Sequence, residues 1–338
     1  MKDLISSLAD RAAALERVGV TRAVVGELAA AGLLAVYGPP ELGGLSAAGQ
    51  REVSEALAGA SPDAWFVWFQ HGPVVRSLAL SDNTALQDAH LAELCSGPLQ
   101  GGVAWSNLRT ARPSVFAERV DGGWSLTGPQ PWCTGWPMLD LVLVGALAPA
   151  TGQVVFGIVP ARSPGLRSTG ELELAAMGGT STHAVRYDGL QLPDACVTAV
   201  IDAAEWRTAD AAGNANVQPS TFGIALAALD LLQERAPATA EGLREQVLEV
   251  RGTAYRLLDE VHRTERLDER LAVRARALLL GLECATALLA SRGGQGMDAA
   301  APEQRLLRAA AFQLVHSQDA AVRGATLAAL VPGVALVA

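Results

Sequence analysis

The sequence lacks an excess of basic residues and any long apolar run. Its 26 Lys and Arg against 35 Asp and Glu give a formal net charge of -9, so no basic footprint for nucleic acid is present and none is expected as a partner. The longest apolar runs, 141–148 and 325–331, are too short to span a bilayer. The first four residues do not begin a signal-peptide pattern. We therefore expect neither a membrane partner nor a signal peptide, and a cytoplasmic location.

Clusters of metal-binding or redox residues are also missing. The four cysteines are far apart in the chain, at Cys95, Cys133, Cys196 and Cys284. The five histidines are isolated as well, at His71, His90, His183, His262 and His316. Because zinc sites and redox motifs need close pairs of such residues, the sequence predicts free thiols and no metal.

What the sequence does contain is three regions in which the apolar residues follow a helical, a strand-like and again a helical period. The composition, 50% hydrophobic and 18% charged, excludes disorder. The length of 338 residues exceeds what one ordinary core holds. Apolar residues follow a helical period in residues 1–99, a strand-like period in 100–200 and a helical period again in 201–338. The predicted fold class is α+β: an N-terminal helical domain, a small central β-barrel or sandwich, and a C-terminal antiparallel four-helix bundle.

The N-terminal region shows a clear helical repeat. Apolar residues recur every three or four positions, at Leu4, Leu8, Ala12 and Leu15. Pro39-Pro40 and Gly43-Gly44 then predict a loop. A later aromatic cluster is most simply core: Trp65, Phe66, Trp68 and Phe69.

The central region reads as short strands separated by turn residues. Residues 115–120 and 124–126 flank Asp121-Gly122-Gly123, which predicts a hairpin because glycine adopts the positive φ of a tight turn. Further strands are predicted at 141–147, 154–159, 184–187 and 190–192.

The C-terminal region contains long stretches rich in alanine and leucine. Helices are predicted at 219–234, 240–262, 268–291 and 303–330. Four such helices with short links favour an antiparallel bundle. Because this bundle has more apolar surface than one four-helix core can cover, we expect a homodimer or larger assembly built through the region after Ala203.

Several motifs occur in one order along the chain. They are YGPPELGG at 37–44, DGGWSLTG at 121–128 with PWCTG at 131–135, MGGTST at 177–182, and GGQG at 293–296 followed by Pro302, Arg305 and Arg308. These motifs resemble, in the same order, segments of the acyl-CoA dehydrogenase family, a flavoprotein superfamily that also includes flavin-dependent monooxygenases. The resemblance covers the chain and implies that family's fold.

The resemblance also implies FAD between the β domain and the bundle. Trp132 would pack a flat face on the isoalloxazine, and Thr134 would donate toward the N5 edge of the flavin. Ser106 would keep a contact to the pyrimidine edge, although the residues that follow it depart from the family pattern. The loop of Gly293, Gly294 and Gly296 would let the dinucleotide approach backbone amides. In the simpler interpretation, Trp132 is core, Thr134 is an edge residue and the glycines only end a helix.

Three departures from the family pattern concern catalysis and cofactor binding. The position that usually holds the catalytic Glu is Ser317, and the second family position falls in 211–216, which contains no carboxylate. An Arg-x-x-Phe-Gly arm that reaches a neighbouring subunit's FAD phosphates is missing from 232–237. FAD is therefore expected to bind weakly or to be shared between subunits.

These departures leave three functional hypotheses open. The first is an acyl-CoA dehydrogenase-like oxidoreductase of an acyl thioester or related small molecule, with Asp319 or Glu283 as a displaced base. The second is a monooxygenase in which His316, with a pKa near neutrality, acts with His71 across the pocket. The third is a non-catalytic partner subunit in a hetero-oligomeric dehydrogenase. Each histidine alone is more typical of a satisfied core or surface residue than of a catalytic one.

Overall fold

The chain begins with five helices in the computed structural model, which describes residues 1–331. Their bounds are α1 Lys2–Val18, α2 Arg22–Ala30, α3 Ala47–Ala60, α4 Pro62–Ala79 and α5 Thr84–Ser96. Polar side chains cap the starts of three of them: Ser46, Ser61 and Asn83 each accept a backbone N–H of the first turn of α3, α4 and α5. Gly97, with φ 103°, ends α5.

Eight strands follow and form one connected sheet. Their bounds are β1 Gly101–Ala104, β2 Phe116–Val120, β3 Gly123–Cys133, β4 Leu141–Ala148, β5 Gln153–Pro160, β6 Leu166–Glu171, β7 His183–Pro193 and β8 Val197–Asp202. The strand order is β6-β7-β3-β2-β4-β5-β8, and β1 pairs with β4 in parallel. The predicted hairpin is present, because Val120 lies opposite Gly123 and Gly122 has φ 71°. The two predicted strands at 184–187 and 190–192 are one strand, β7, whereas β1, β6 and β8 had no clear sequence pattern.

Six helices complete the described chain. They are α6 Ala203–Asn214, α7 Pro219–Gln233, α8 Pro237–Glu260, α9 Leu267–Arg292, α10 Pro302–Val315 and α11 Ala320–Leu330. The prediction of one helix over 303–330 is wrong, because Ser317 has φ 51° and Asp319 starts a new helix by accepting the Val322 N–H. Helix α6 was also not predicted. The α+β class, with helical ends around a central sheet, is confirmed.

The first and last helical regions share one hydrophobic core. Helix α3 packs along α7, where a Cβ on Gly223 would lie 2.1 Å from the carbonyl oxygen of Glu55. Glycine is therefore required at this crossing. The predicted aromatic core is present, since Trp65 and Trp68 are buried in the same cluster as Leu229 of α7.

A second core fills the sheet, and a third joins α4 and α5 to β4 and β5. The third core thus packs the sheet against the N-terminal helices. Over residues 1–331, no helix is long and apolar enough to cross a membrane. The same residues contain no group of three or more His, Cys, Asp or Glu side chains arranged to hold a metal ion.

Candidate functional site at the junction of sheet and bundle

An ion pair joins the sheet to the helical bundle. Arg109 lies in the 3-10 turn Ser106–Arg109 after β1, and its Nε and Nη2 donate to the two carboxylate oxygens of Asp210 on α6, at 2.9 and 2.8 Å. Its guanidinium carbon lies 4.7 Å from the ring centroid of Trp105, and its Nη1 reaches Ser317 Oγ at 3.5 Å. Because the two charged side chains are only 23% and 15% exposed, this pair is screened less than a surface ion pair.

A fully buried glutamine fixes the turn that carries Arg109. Gln130 of β3 accepts the backbone N–H of Asn107 at 3.1 Å and donates to Ser106 Oγ at 2.7 Å. Its Nε2 also donates to the carbonyl oxygen of Trp132 at 3.0 Å. The predicted residues Ser106 and Trp132 are therefore linked through one side chain, which also holds the turn that carries Arg109.

Trp132 lies near the end of β3, where the pairing with β7 is irregular between Gln130 and Cys133. The residue is 49% exposed. This exposure excludes the core interpretation and leaves a flat aromatic face available for packing against a planar ligand.

Thr134 comes two residues later but faces the interior. Its hydroxyl is buried and lies 2.9 Å from the hydroxyl of Thr182. The following backbone is held as well, because the N–H of Gly135 donates to the carbonyl of Thr180 at 3.0 Å. The end of β3 and the segment before β7 are thus tied together beside Trp132.

The predicted glycine loop lies in a different part of the molecule. Gly293, Gly294 and Gly296 belong to the 3-10 turn Gly293–Met297, which packs against α9 and α10 rather than the end of β3. A Cβ at Gly293 or Gly294 would meet no atom within 4 Å, so their backbone stays open to approach. Gly296 instead packs against Leu289.

His316 is enclosed by aromatic rings. Its ring stacks on Phe312 and makes T-shaped contacts with the rings of Trp65, Phe66 and Phe69. The centroid distances are 5.2 to 5.6 Å. Burial, with the positive charge of Arg274 and Arg109 nearby, lowers the pKa of His316 to about 3. An acid–base role requires a pKa near neutrality. The apolar enclosure of His316 instead disfavours the protonated, charged form of its ring.

The other three predicted acid–base residues are engaged elsewhere. Asp319 caps α11, and Glu283 is an exposed side chain paired with Arg276 at 2.6 Å. His71 is fully hydrogen-bonded in the core: its Nδ1 accepts the Gly101 N–H, so its Nε2 donates to the Leu94 carbonyl. Burial lowers the pKa of His71 to about 4. The structure therefore does not bring His71 and His316 together as a pair.

Sequence reasoning missed two arginines that organise the junction. The Arg109–Asp210 pair escaped because Asp210 stands one residue before the segment 211–216, where a carboxylate was sought. Arg274 of α9 is buried and donates to four carbonyl oxygens that tie the end of α6 to the α10–α11 loop: those of Asn214, Asn216, His316 and Ser317. No local pattern separates Arg274 from the other arginines of α9.

The residues at the junction fit the ring system of a flavin. Trp132 offers an exposed aromatic face, and Gln130 holds the backbone carbonyl of this residue in place. The open backbone at Gly293 and Gly294 has the character of a phosphate-binding loop, but it lies apart from Trp132 within one chain. Sharing of a dinucleotide between subunits stays a prediction.

No protein-family model matches the chain. Among curated proteins, it is 26% identical over 200 residues to benzylmalonyl-CoA dehydrogenase of Aromatoleum aromaticum, covering 55% of this chain and 52% of that protein. It is 27% identical over 173 residues to a mitochondrial 2-methylacyl-CoA dehydrogenase of Solanum tuberosum, covering 47% and 41%. The matched region thus spans about half the length of these relatives.

Solved structures match the whole chain more fully. A putative acyl-CoA dehydrogenase from Mycobacterium smegmatis superposes with a TM-score of 0.81 at 18% identity, covering 96% of this chain and 95% of that one. Butyryl-CoA dehydrogenase from Megasphaera elsdenii gives a TM-score of 0.77 at 16% identity, with 97% and 96% covered. At such identities the likeness shows the fold. The fold is thus that of the acyl-CoA dehydrogenases, and the curated relatives confirm the resemblance of this sequence to that family.

Proposed function

We propose that the protein is an FAD-dependent oxidoreductase of the acyl-CoA dehydrogenase type that acts on an acyl thioester. The observation that carries this proposal is the half-exposed Trp132, whose backbone carbonyl is held by Gln130, the same side chain that holds the turn carrying Arg109. The names of the curated relatives support the substrate class. A solved neighbour described as an FAD complex of PigA, with a TM-score of 0.75 at 17% identity, supports the cofactor.

Asp210 is the carboxylate that we assign as proton acceptor. A bound flavin would supply the hydride acceptor, and oxidation of an acyl thioester then needs an anionic group for the α-proton. Asp210 stands at the junction on α6, whereas Asp319 caps a helix and Glu283 is exposed. Arg109 and Asn214 hold the Asp210 carboxylate in one orientation. To accept a proton, Asp210 must release one of its bonds to Arg109.

The first experiment measures the visible absorbance of flavin in the purified protein. It then asks whether any of a panel of acyl-CoA compounds bleaches that absorbance in the absence of oxygen. If Asp210 is the acceptor, Asp210→Asn should slow bleaching by roughly two to four orders of magnitude, the usual contribution of a positioned base. Asp319→Asn is the matched control, since asparagine also caps helices. Equal loss in both variants, or none in Asp210→Asn, would contradict the assignment of Asp210.

A second experiment tests Trp132. Trp132→Ala should remove most of the bound flavin, because it deletes the exposed ring that would cover the isoalloxazine. Phe116→Ala is the control: Phe116 is 42% exposed on β2 of the same sheet. A Trp132→Ala protein that keeps a full complement of flavin would show that this ring has another role.

A specific observation favours a second candidate, the partner subunit of a heteromeric dehydrogenase. Both oxygens of Asp210 are bonded to Arg109, and His316 is enclosed with a lowered pKa. Such a subunit would not hold FAD alone but would do so with a catalytic partner chain. The enclosed His316 also gives the monooxygenase hypothesis less support. Either candidate requires an assembly, and light scattering near the 35.0 kDa of one chain would contradict it.

A further inference from the structure

Helix α6 links the last strand to the bundle and is held firmly at its two ends. At its start, the Asp202 carboxylate accepts two backbone N–H groups of the first turn, at 2.9 and 3.0 Å. At its end, Arg274 of α9 donates to the carbonyl oxygen of Asn214. Between these ends the packing is sparse: three of the 12 residues of α6 are buried, against nine of the 15 residues of α7. We call this helix, Ala203–Asn214, the strap.

Two side chains hold the middle of the strap against the sheet. Trp206 and Asp210 are four residues apart and therefore lie on the same face of the helix. The centroid of the Trp206 ring lies 6.1 Å from the ring centroids of Trp105 and Phe156. Asp210 is bonded to Arg109, whose guanidinium packs on Trp105. Closure of the strap thus depends on one aromatic contact and one ion pair.

The closed strap leaves one polar group unsatisfied. The Nε1 atom of Trp105 is buried, and it has no hydrogen-bond partner within residues 1–331. A buried N–H without an acceptor has lost its bond to water and gained none in exchange, which disfavours the closed state. Movement of the Trp206 ring away from Trp105 would give this N–H access to water. The ion pair of Arg109 and Asp210 therefore offsets a cost that closure itself creates.

The bonds of Asp210 allow the strap to open while its carboxylate keeps one partner. Arg109 donates to Oδ2 at 2.9 Å and to Oδ1 at 2.8 Å, and these bonds cross from the sheet to the helix. Asn214 donates to Oδ2 at 2.9 Å from within the same helix. Opening of the strap breaks the bonds to Arg109, whereas the bond from Asn214 moves with the helix. In the open state, Oδ1 of Asp210 is therefore free and Oδ2 is still held.

We propose that α6 is a movable strap over the candidate site, that the Arg109–Asp210 pair is its latch, and that opening frees Oδ1 of Asp210 to accept a proton. The opening is a property of this chain alone. Its consequence for proton transfer rests on the proposed function, in which Asp210 must release a bond to Arg109 before it acts as a base. The closed strap is accordingly the inactive form of the site, and the open strap is the active form.

Hydrogen–deuterium exchange with mass spectrometry tests the latch on the full chain without flavin or substrate. In the wild type, backbone amides of α6 should exchange faster than those of α7, because local opening exposes them. Arg109→Gln removes the cation and should speed exchange in α6 about tenfold, equivalent to ~1.4 kcal/mol, with α7 unchanged. Arg119→Gln is the matched control: Arg119 also pairs with an aspartate, Asp194, and packs on a tryptophan, Trp124, but does not contact α6. It should leave α6 exchange as in the wild type.

Salt distinguishes an ionic latch from contacts that merely support the fold. Raising NaCl from about 0.05 M to about 1 M should speed α6 exchange in the wild type and leave Arg109→Gln unchanged, because ions screen the pair. Asp210→Asn, a second variant, should open the strap as Arg109→Gln does. The double variant should show no further increase, since both changes remove the same pair.

The outcomes separate the latch from the proposed function. Unchanged α6 exchange in Arg109→Gln, or an equal increase in α6 and α7, would overturn the latch whether or not the protein oxidises a substrate. If α6 opens as expected but acyl-CoA bleaches Asp210→Asn at the wild-type rate, the latch stands, and the role of Asp210 as proton acceptor is overturned.

Discussion

Replacing Asp63 by asparagine is expected to stabilise the protein at neutral pH. Asp63 lies in the first turn of α4, is 1% exposed, and accepts the Gly179 N–H through Oδ1 at 2.8 Å. Burial is the main cause that raises its pKa to about 6; the Gly179 bond opposes the shift, the charge of Glu16 adds to it, and Arg305 opposes it. Asparagine keeps the acceptor oxygen without the buried charge.

The magnitude and its sign follow from this pKa. An ordinary Asp titrates near 3.9, so a shift of about two units corresponds to at most ~3 kcal/mol of lost stability. Below about pH 4 both the folded and the unfolded forms bind the proton, and the group contributes nothing. Between about pH 4 and pH 6 the unfolded chain releases its proton first, so the stability of the wild type falls as pH rises. Above about pH 6 the full penalty is present.

Urea unfolding of the wild type and Asp63→Asn, from about pH 4 to about pH 8, measures this difference directly. The free energy of unfolding of the variant should exceed that of the wild type by a margin that grows from pH 4 to 6 and then stays constant. Asp10→Asn is the control, because Asp10 is an exposed carboxylate on α1. A margin that does not change with pH, or a variant less stable than the wild type at neutral pH, would refute the reasoning.

Three further substitutions test other parts of the structure. Gly179→Ala should lower the melting temperature strongly, because its Cβ would lie 2.0 Å from a carbonyl oxygen of α1, whereas Gly178→Ala, with its nearest atom at 3.8 Å, should be tolerated. Arg274→Met should cost about 3–5 kcal/mol in urea unfolding, since it strips a buried cation from four carbonyls, while Arg323→Met on the exposed face of α11 should change little. His316→Phe should gain stability relative to the wild type as pH falls from about 6.5 to about 3, because His316 binds a proton in the unfolded chain but not in the folded one. A stability difference that stays constant across this range would contradict the lowered pKa.

The parts of the fold that the sequence predicted are those with local signals. The hairpin at 116–133 depends on a turn glycine, and the long helices depend on a repeated apolar spacing. The break in the helix at 316–319 was not predicted, because its cause is a positive φ at Ser317 and serine does not normally mark helix ends. A pattern of spacing cannot reveal such a local conformation.

The candidate site was predicted less well because its contacts join distant parts of the chain. Trp132 is half-exposed, and its predicted packing against a flavin stays a proposal. The Arg109–Asp210 pair joins residues about a hundred positions apart, and the partners of His71 come from α5 and β1. Residue type alone could not show that both ring nitrogens of His71 are hydrogen-bonded or that Arg109 pairs with a carboxylate of α6.

The close crossing of α3 and α7 has a consequence for synthesis of the chain. The face of α3 around Gly59 finds its partner, Gly223, only in the second half of the sequence, so the first five helices cannot complete their core when they leave the ribosome. During that interval Leu57 and its neighbours stay accessible to chaperones and proteases. The sheet, whose cluster is drawn only from residues 104–197, can consolidate earlier, and the emergence of α7 is then the event that commits the helical layers to assemble.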